Sequence, residues 1–381
     1  MASCSLVING QSVKANIGET LVDAALGGWV IVPHDCTSGQ CGTCRVTVLG
    51  GAVDDQGTAE GRTVLACQAL VTGDAEIAFD EVPEVIKRAG TISEITRLGP
   101  DVIEVVVALA SPIEYRAGQY FSVKFAGFPA RDLSPSVRWD GTLGRAELVF
   151  HIRRYPGGIV STQIGATIRT GHRLHIRGPF GQAFLRDGDG PIVLVAGGTG
   201  WAPIWSLASE ALRTQRHREL LVIAGARDPS GLYMRRSLDR LIDDGALNVV
   251  ATAEIGATDP ILPGRPTHYL PSLGLDDTVY VAGPTGLVDA VKYKARKARA
   301  RCYADPFLPG AQKLSFVDRI MQMLRPPADP KVTASLPKAA DASFVASAGQ
   351  ARGSRTDDAR VPSSVPGAST NGLTARERSK A

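Results

Sequence analysis

The sequence predicts a multidomain chain: a small, mostly β N-terminal module, an antiparallel β-barrel, an α/β domain on a parallel sheet, and a disordered C-terminal tail. Three observations lead there. As far as Phe180, short runs of alternating apolar residues are separated by turn residues, the pattern of antiparallel strands. From about Pro191, apolar strand-like runs alternate with helical periodicity, which implies parallel strands joined by helices. From about Pro326, Ala, Ser, Pro, Arg and Asp dominate, and such a segment cannot bury enough apolar surface to fold. These shifts place modules at 1–85, 86–188 and 189–310, an amphipathic segment at 311–325 and the tail at 326–381.

Within the first module, SLVING and QSVKANI are strand runs joined at Asn9–Gly10, the strongest short-range hairpin signal. Thr20 is placed to cap a short helix running through Trp29, after which VIVPHD leads into a cysteine-rich loop. CRVTVLGGAV and DAEIAFD read as further strands. The barrel strands are GTISEITRL, DVIEVVVALA, QYFSVKFA, AELVFHIRR and HRLHIRGPF. The α/β domain follows as IVLVAGG, the helix APIWSLASEALRTQ, LLVIAGAR, a second helix, NVVATAEI, TVYVAG and a last helix. In QKLSFVDRIMQMLR, Leu314, Val317, Ile320, Met321 and Leu324 recur at helical spacing.

The net charge of +4 is divided unequally. Residues 1–85 hold Lys14, Arg45 and Arg62 against eleven Asp and Glu, a net −8, which leaves +12 for the rest. Such a split fits two independently solvated surfaces, an acidic module docked on a basic one, or an acidic face presented to a partner protein. No signal peptide is evident, nor any apolar run of the roughly 18 residues that cross a bilayer, so a cytoplasmic, reducing location is expected. Structural disulfides are disfavoured there, and the six cysteines become candidate ligands, reactive groups or core residues.

Four of them form a pattern. Cys36, Cys41 and Cys44 make C-x4-C-x2-C, and Cys67 follows in VLACQA. This is the plant-type [2Fe–2S] spacing, with three thiolates on one loop and the fourth from a distant segment. Iron takes soft anionic sulfur, and Ser38, Gly39, Gly42 and Thr43 are small enough to let backbone N–H groups approach the cluster. A zinc site would usually show paired C-x2-C knuckles, and here there is one. His34 alone does not make a Rieske site, which needs two Cys-x-His-like pairs. Cys4 and Cys302 fall outside the pattern and read as packed residues.

The run GGTGWAP (197–203) follows the apolar strand IVLVA, with Pro203 at the start of the next helix. Glycines there let a backbone approach a pyrophosphate, and the helix start supplies N–H donors. The second strand ends in Gly225–Ala226–Arg227, without the acidic residue of a Rossmann fingerprint. GPFG (178–181), GGTGWAP, GARDPSGLY (225–233), VYVAGPTG (279–286) and YADPF (303–307) occur in the order used by the ferredoxin–NADP reductase superfamily, which this part of the chain resembles. FHIRRYPGGIVST (150–162) resembles that family's flavin-binding strand and phosphate loop. Residues 1–82 resemble plant-type ferredoxins, with a β-grasp-like α+β fold. Together, about residues 1–310 are similar to the single-chain reductase components of bacterial multicomponent oxygenases, the ring-hydroxylating dioxygenase systems above all.

The resemblance implies a [2Fe–2S] cluster, FAD and NADH, with Cys36, Cys41, Cys44 and Cys67 on the metal. Arg131 would pair with the FAD pyrophosphate, Leu133 and Ser134 would lie at the flavin ring, and His151, Ile152 and Arg153 would line the ribityl chain. Gly157, Gly158, Val160 and Ser161 would meet the FAD phosphates. Gly198, Thr199, Gly200 and Pro203 would hold the pyridine-nucleotide phosphates, with Gly283 and Pro284 beside them and Arg227 at the adenine ribose. Phe307 would approach the flavin ring where nicotinamide docks. No side chain is required as catalytic acid, base or nucleophile, because hydride and electron transfer belong to the cofactors. Electrons would pass from NADH by way of FAD and the cluster to a terminal oxygenase or an intermediate ferredoxin, with no nucleic acid or membrane as partner.

Two departures stand out. The family's flavin motif reads Arg-x-Tyr-Ser or Arg-x-Phe-Ser, and here it is Arg131–Asp132–Leu133–Ser134. Leu133 forfeits an aromatic stack worth roughly 1 kcal/mol, and Asp132 adds a negative charge near a pyrophosphate site. Many relatives carry Cys-Gly-Pro-Pro where this chain has Ala282–Gly283–Pro284–Thr285, which removes any thiol contribution. A one-electron carrier with a degenerate flavin site is therefore one alternative, and a reductase for a non-oxygenase acceptor such as a deoxysugar dehydratase is another. NADH is expected over NADPH, although Arg227, Arg235 and Arg236 offer cations to a 2′-phosphate.

Overall fold

Asn9 and Gly10 adopt φ of 47° and 83°, the left-handed pair that a two-residue turn matched to strand twist requires. Strands β1 (Ser3–Ile8) and β2 (Gln11–Asn16) pair across that turn. The computed structural model describes residues 2–39, 42–246 and 248–307, so Cys41, the segment 311–325 and the tail 326–381 lie outside the described residues. Helix α1 (Leu21–Gly27) is capped by Thr20, whose Oγ1 accepts from the Asp23 N–H at 3.1 Å. It stops at Gly27 rather than reaching Trp29. Gly28 lies so close to β2 that a Cβ would meet Val13 Cγ1 at 2.3 Å, and the chain then turns outward through Trp29 at φ 61°. Strands β3 (Arg45–Asp54), β4 (Thr63–Leu65) and β5 (Leu70–Ala78) complete a sheet of order β2–β1–β5–β3–β4, with β1 and β5 parallel. Leu6, Ile8, Leu21 and Ile77 fill its core.

The middle domain comprises β6 (Ile86–Arg97), β7 (Val102–Leu109), β8 (Tyr120–Phe125), β9 (Arg131–Leu133), β10 (Pro135–Ser136), β11 (Glu147–Arg153) and β12 (Arg173–Phe180). These pair antiparallel in the order β10–β11–β7–β6–β12–β8–β9, a near-closed barrel around Val105, Phe121, Phe150 and Leu174. The last domain is a parallel sheet of β13 (Ile192–Gly197), β14 (Leu220–Ala226), β15 (Asn248–Ala253), β16 (Leu262–Pro263), β17 (Thr278–Pro284) and β18 (Arg301–Phe307). Its order is β16–β15–β14–β13–β17–β18, so the winding reverses at β13 and opens a crevice at the carboxyl ends of the strands. The helices are α2 (Trp201–Thr214), α3 (Arg235–Asp243) and α4 (Thr285–Ala298).

Helix α2 seats this sheet on the barrel. Trp201 and Trp205 stack 6.0 Å apart and are fully buried. Trp205 Nε1 donates to the Arg138 carbonyl at 2.9 Å, and Ser206 Oγ donates to the Pro135 carbonyl at 3.1 Å. Cys4 and Cys302 flank apolar cores, and burial pushes the Cys302 thiol up to about 12.

The described residues belong to one compact unit, and the acidic module docks on the basic remainder. Asp35 lies 3.1 Å from Arg177, and Asp80 lies 2.8 Å from Arg186. Glu60 gathers three cations: Lys292 at 2.7 Å, Arg45 at 3.6 Å and Arg296 at 3.7 Å. Partial burial raises the Glu60 carboxyl, but these cations more than compensate and hold it below the usual carboxylate range. Glu60→Gln leaves the cations facing each other without a counter-charge and should weaken docking by about 1–3 kcal/mol. X-ray scattering in rising salt should show the variant expanding at lower ionic strength than the parent; superimposable curves would refute this role.

Candidate functional site

The turn after β4 and the loop before β3 bring Cys67 and Cys44 together, Sγ to Sγ 3.2 Å. That is well beyond the roughly 2.0 Å of a disulfide, so these two sulfurs approach without a covalent bond between them. The Ser38 N–H points at Cys36 Sγ from 3.5 Å, and Gln68 Nε2 at Cys67 Sγ from 3.7 Å. Soft sulfur donors with N–H groups aimed at them fit a [2Fe–2S] cluster, which Cys36, Cys44 and Cys67 would hold together with Cys41.

This loop sits against the barrel. Tyr120 Oη lies 3.3 Å from Asp35 Oδ2 and 3.4 Å from Thr43 Oγ1, and Gln182 Nε2 donates to the Thr43 carbonyl at 3.1 Å. The Tyr120 ring lies 5.5 Å from that of Phe180, in the GPFG run. Reading the sequence missed Asp35, Tyr120 and Gln182; proximity to a recognised motif is the one signal each carries.

The candidate flavin loop is drawn tight on itself. A Cβ on Gly158 would meet Ser161 Oγ at 2.4 Å, and that oxygen accepts from the Tyr155 N–H at 3.2 Å. A loop that leaves no room for a side chain offers bare backbone to a phosphate, and buried Val160 anchors it to the barrel core. Arg131 is half-buried on β9, Leu133 packs partly on the barrel core, and Asp132 is exposed. Ile152 is buried in the same core. The His151 ring turns to Tyr233 Oη at 3.1 Å and Glu104 at 3.5 Å, so its backbone rather than its imidazole is left for a ribityl chain. Arg153 pairs with Asp101 at 2.6 Å and reaches the nucleotide loop, where a Cβ on Gly198 would stand 3.8 Å from its Nη1.

At the carboxyl ends of β13 and β17, a Cβ on Gly200 would meet the Ala282 carbonyl at 2.1 Å, and one on Gly283 the Gly197 carbonyl at 2.7 Å. Gly198, Thr199 and Gly200 form a single 3-10 turn that runs into α2, with Pro203 in its first turn. This bare floor fits a pyrophosphate. Arg227 is exposed at the end of β14. Pairing of β18 with β17 sets Asp305 level with Ala282, and Phe307 level with Pro284.

Across the crevice, buried Ser134 donates through Oγ to Asp305 Oδ2 at 2.5 Å, joining the flavin motif to the last strand of the nucleotide sheet. Burial pushes the Asp305 carboxyl up to about 6, the Ser134 bond opposing the rise and Asp132 adding to it. The pair can hold a proton between Oγ and Oδ2 where the barrel meets the parallel sheet. Asp305 lies within YADPF, yet nothing in that run marks its carboxyl as the buried one.

Comparison with known proteins adds to this geometry. The chain matches the 2Fe-2S iron-sulfur cluster binding domain over residues 6–72, the oxidoreductase FAD-binding domain over 89–184 and the oxidoreductase NAD-binding domain over 194–293. It is 30% identical over 325 residues to the reductase component of the naphthalene 1,2-dioxygenase system of Pseudomonas putida, covering 79% of this chain and 97% of that one. It is also 30% identical over 328 residues to the xylene/toluene monooxygenase electron transfer component of Pseudomonas putida, covering 79% and 92%. Among solved structures, the Amycolatopsis cytochrome P450 reductase GcoB superposes with a TM-score of 0.60 at 28% identity, over 81% of this chain and all of that one.

A carboxyl raised by burial contributes most to stability while protonated. The Asp305 contribution should be complete below about pH 4 and lost as pH rises through 6, a change of up to about 3 kcal/mol. Asp305→Asn keeps an acceptor for Ser134 but cannot ionise. Melting temperatures from pH 4 to 7 should therefore fall less steeply in the variant than in the parent, and equal slopes would contradict the assignment.

Proposed function

The chain belongs to the family of ferredoxin–NAD(P)+ reductase components of oxygenase systems, and on that premise we propose that it oxidises NADH and delivers single electrons to a terminal oxygenase or an intermediate ferredoxin. When bound, the flavin supplies the conversion of a two-electron hydride into single electrons, and the cluster supplies the one-electron exit. The observation that carries the reading is one unbroken set of contacts. The cysteine loop rests on Tyr120 of the barrel, and the barrel's Ser134 is bonded to Asp305 of the nucleotide sheet.

The chain's own residues position and exclude. Arg131, Gly157, Gly158, Val160 and Ser161 are assigned to FAD phosphates, Gly198, Thr199, Gly200, Pro203 and Gly283 to the nucleotide, and Leu133, Pro284 and Phe307 to the walls where the two rings meet. The FAD-binding match across 89–184 supports a working flavin site over a degenerate one. Cytoplasmic location belongs to the same proposal, since a cluster held by thiolates suits a reducing compartment. Among the described residues no helix is long and apolar enough to cross a membrane.

The preference for NADH rests on the turn after β14. Asp228 Oδ1 accepts from the Ser230 hydroxyl at 2.5 Å and from the Ser230 N–H at 2.9 Å, bonds that hold its carboxyl below the usual range. A 2′-phosphate there would meet a carboxylate and an occupied hydroxyl. Arg236 is drawn off to the Trp139 ring, 4.1 Å from its centroid.

Two measurements test the reading. Anaerobic titration with NADH should bleach the flavin and cluster bands with about three electrons taken up per chain; cluster bands alone, unresponsive to NADH, would point to a one-electron carrier. The ratio of kcat/KM for NADH over NADPH should fall at least about tenfold in Asp228→Ser. An unchanged ratio would remove Asp228 from the account.

A further inference from the structure

Single exposed apolar side chains need no explanation. Among the described residues, however, the two most exposed large apolar side chains stand two positions apart: Trp29 at 94% and Ile31 at 74%, with Leu26 at 45% just before them on α1. The backbone deepens the anomaly. Trp29 turns the chain at φ 61°, where glycine or asparagine is the ordinary occupant and a bulky residue is an outlier. A glycine would close this turn without strain, and an indole in solvent adds nothing to the packing of its own module.

The patch lies on the chain that runs directly into the cysteine loop, five residues from Ile31 to Cys36. Within that loop, Asp35 and Thr43 are engaged with the barrel. Its place beside the cysteine loop and the net charge of the module identify what covers it. Three of the module's eleven carboxylates, Asp35, Glu60 and Asp80, face cations of the other domains. That leaves eight carboxylates on the module against Lys14 and Arg62, and Asp23, one turn before Leu26 on α1, is the exposed one next to the patch in the chain. A second copy docked through the same patch would bring acidic surface against acidic surface; a basic protein would not.

We propose that Trp29 and Ile31, with Leu26, form the apolar centre of a docking surface for the electron-accepting protein, and that this acceptor presents a basic rim around an apolar depression. The proposal rests on the reductase reading above, and its test separates the two. Cytochrome c, a lysine-rich acceptor, serves as the protein probe and ferricyanide as the small one. In Trp29→Gly and Ile31→Ser, the KM for cytochrome c should rise at least about tenfold, as expected for loss of a central apolar anchor, while added salt should raise it in parent and variants alike. NADH-driven ferricyanide reduction should stay at the parental rate, and the melting temperature should hold or rise, since glycine relieves the turn. An unchanged KM for cytochrome c in both variants overturns the proposal. So does light scattering that finds the parent dimeric and Trp29→Gly monomeric, which would assign the patch to self-association. Absence of ferricyanide reduction in the parent would remove the reductase reading instead, and the proposal with it.

Discussion

A carboxylate almost out of reach of water holds the cysteine loop to the rest of the molecule. The Asp35 side chain is 4% exposed, and it lies between Arg177 at 3.1 Å and Tyr120 at 3.3 Å. A charge buried to that degree is tolerable where it is paired and hydrogen-bonded, and this requirement fixes which face of the first module meets the barrel. Arg177 in turn spreads over the Phe180 ring, 4.8 Å from its centroid, so the arrangement is anchored on the barrel side as well. The other ion pairs between domains are more exposed at one or both partners. They contribute attraction at longer range, whereas Asp35 contributes register.

A second joint, of different character, fastens the barrel to the parallel sheet and its helices. It is made of buried, largely uncharged contacts: the indole of Trp205, the hydroxyls of Ser206 and Ser134, and the T-shaped pair of His151 and Tyr233. The barrel is thus held by a charge-defined contact to the first module and a packing-defined contact to the last domain. That difference suits the partners. A site that would hold two cofactors together calls for a rigid joint, while the module that would carry the electron exit needs a face left open to a partner.

Much of this was legible in the sequence because it rests on local rules. The Asn9–Gly10 turn, the alternation of the barrel strands, the strand–helix rhythm after Pro191 and the cysteine spacing each depend on neighbours in the chain. Trp29 marks where local reading failed: the helix ends early because of Gly28 against Val13, a contact fifteen residues away. Strand β18 was read as a motif and not as a strand, and its pairing with β17 is what carries Asp305 to Ser134. His151 sits in the expected run, yet its ring serves the joint with Tyr233. Residues that act across domains left no periodicity, so Tyr120, Arg177 and Gln182 were invisible until the domains were set side by side.

The cation cluster around Glu60 has a consequence in time. Glu60 and Lys292 are separated by 232 residues. At a synthesis rate of roughly 5–20 residues per second, the first module waits on the order of ten seconds or more for its partner helix to emerge. Through that interval Glu60 has Arg45 of its own module alone as a counter-charge, and the module keeps its net negative charge. The charge that later fastens the domains thus first keeps the unfinished chain dispersed.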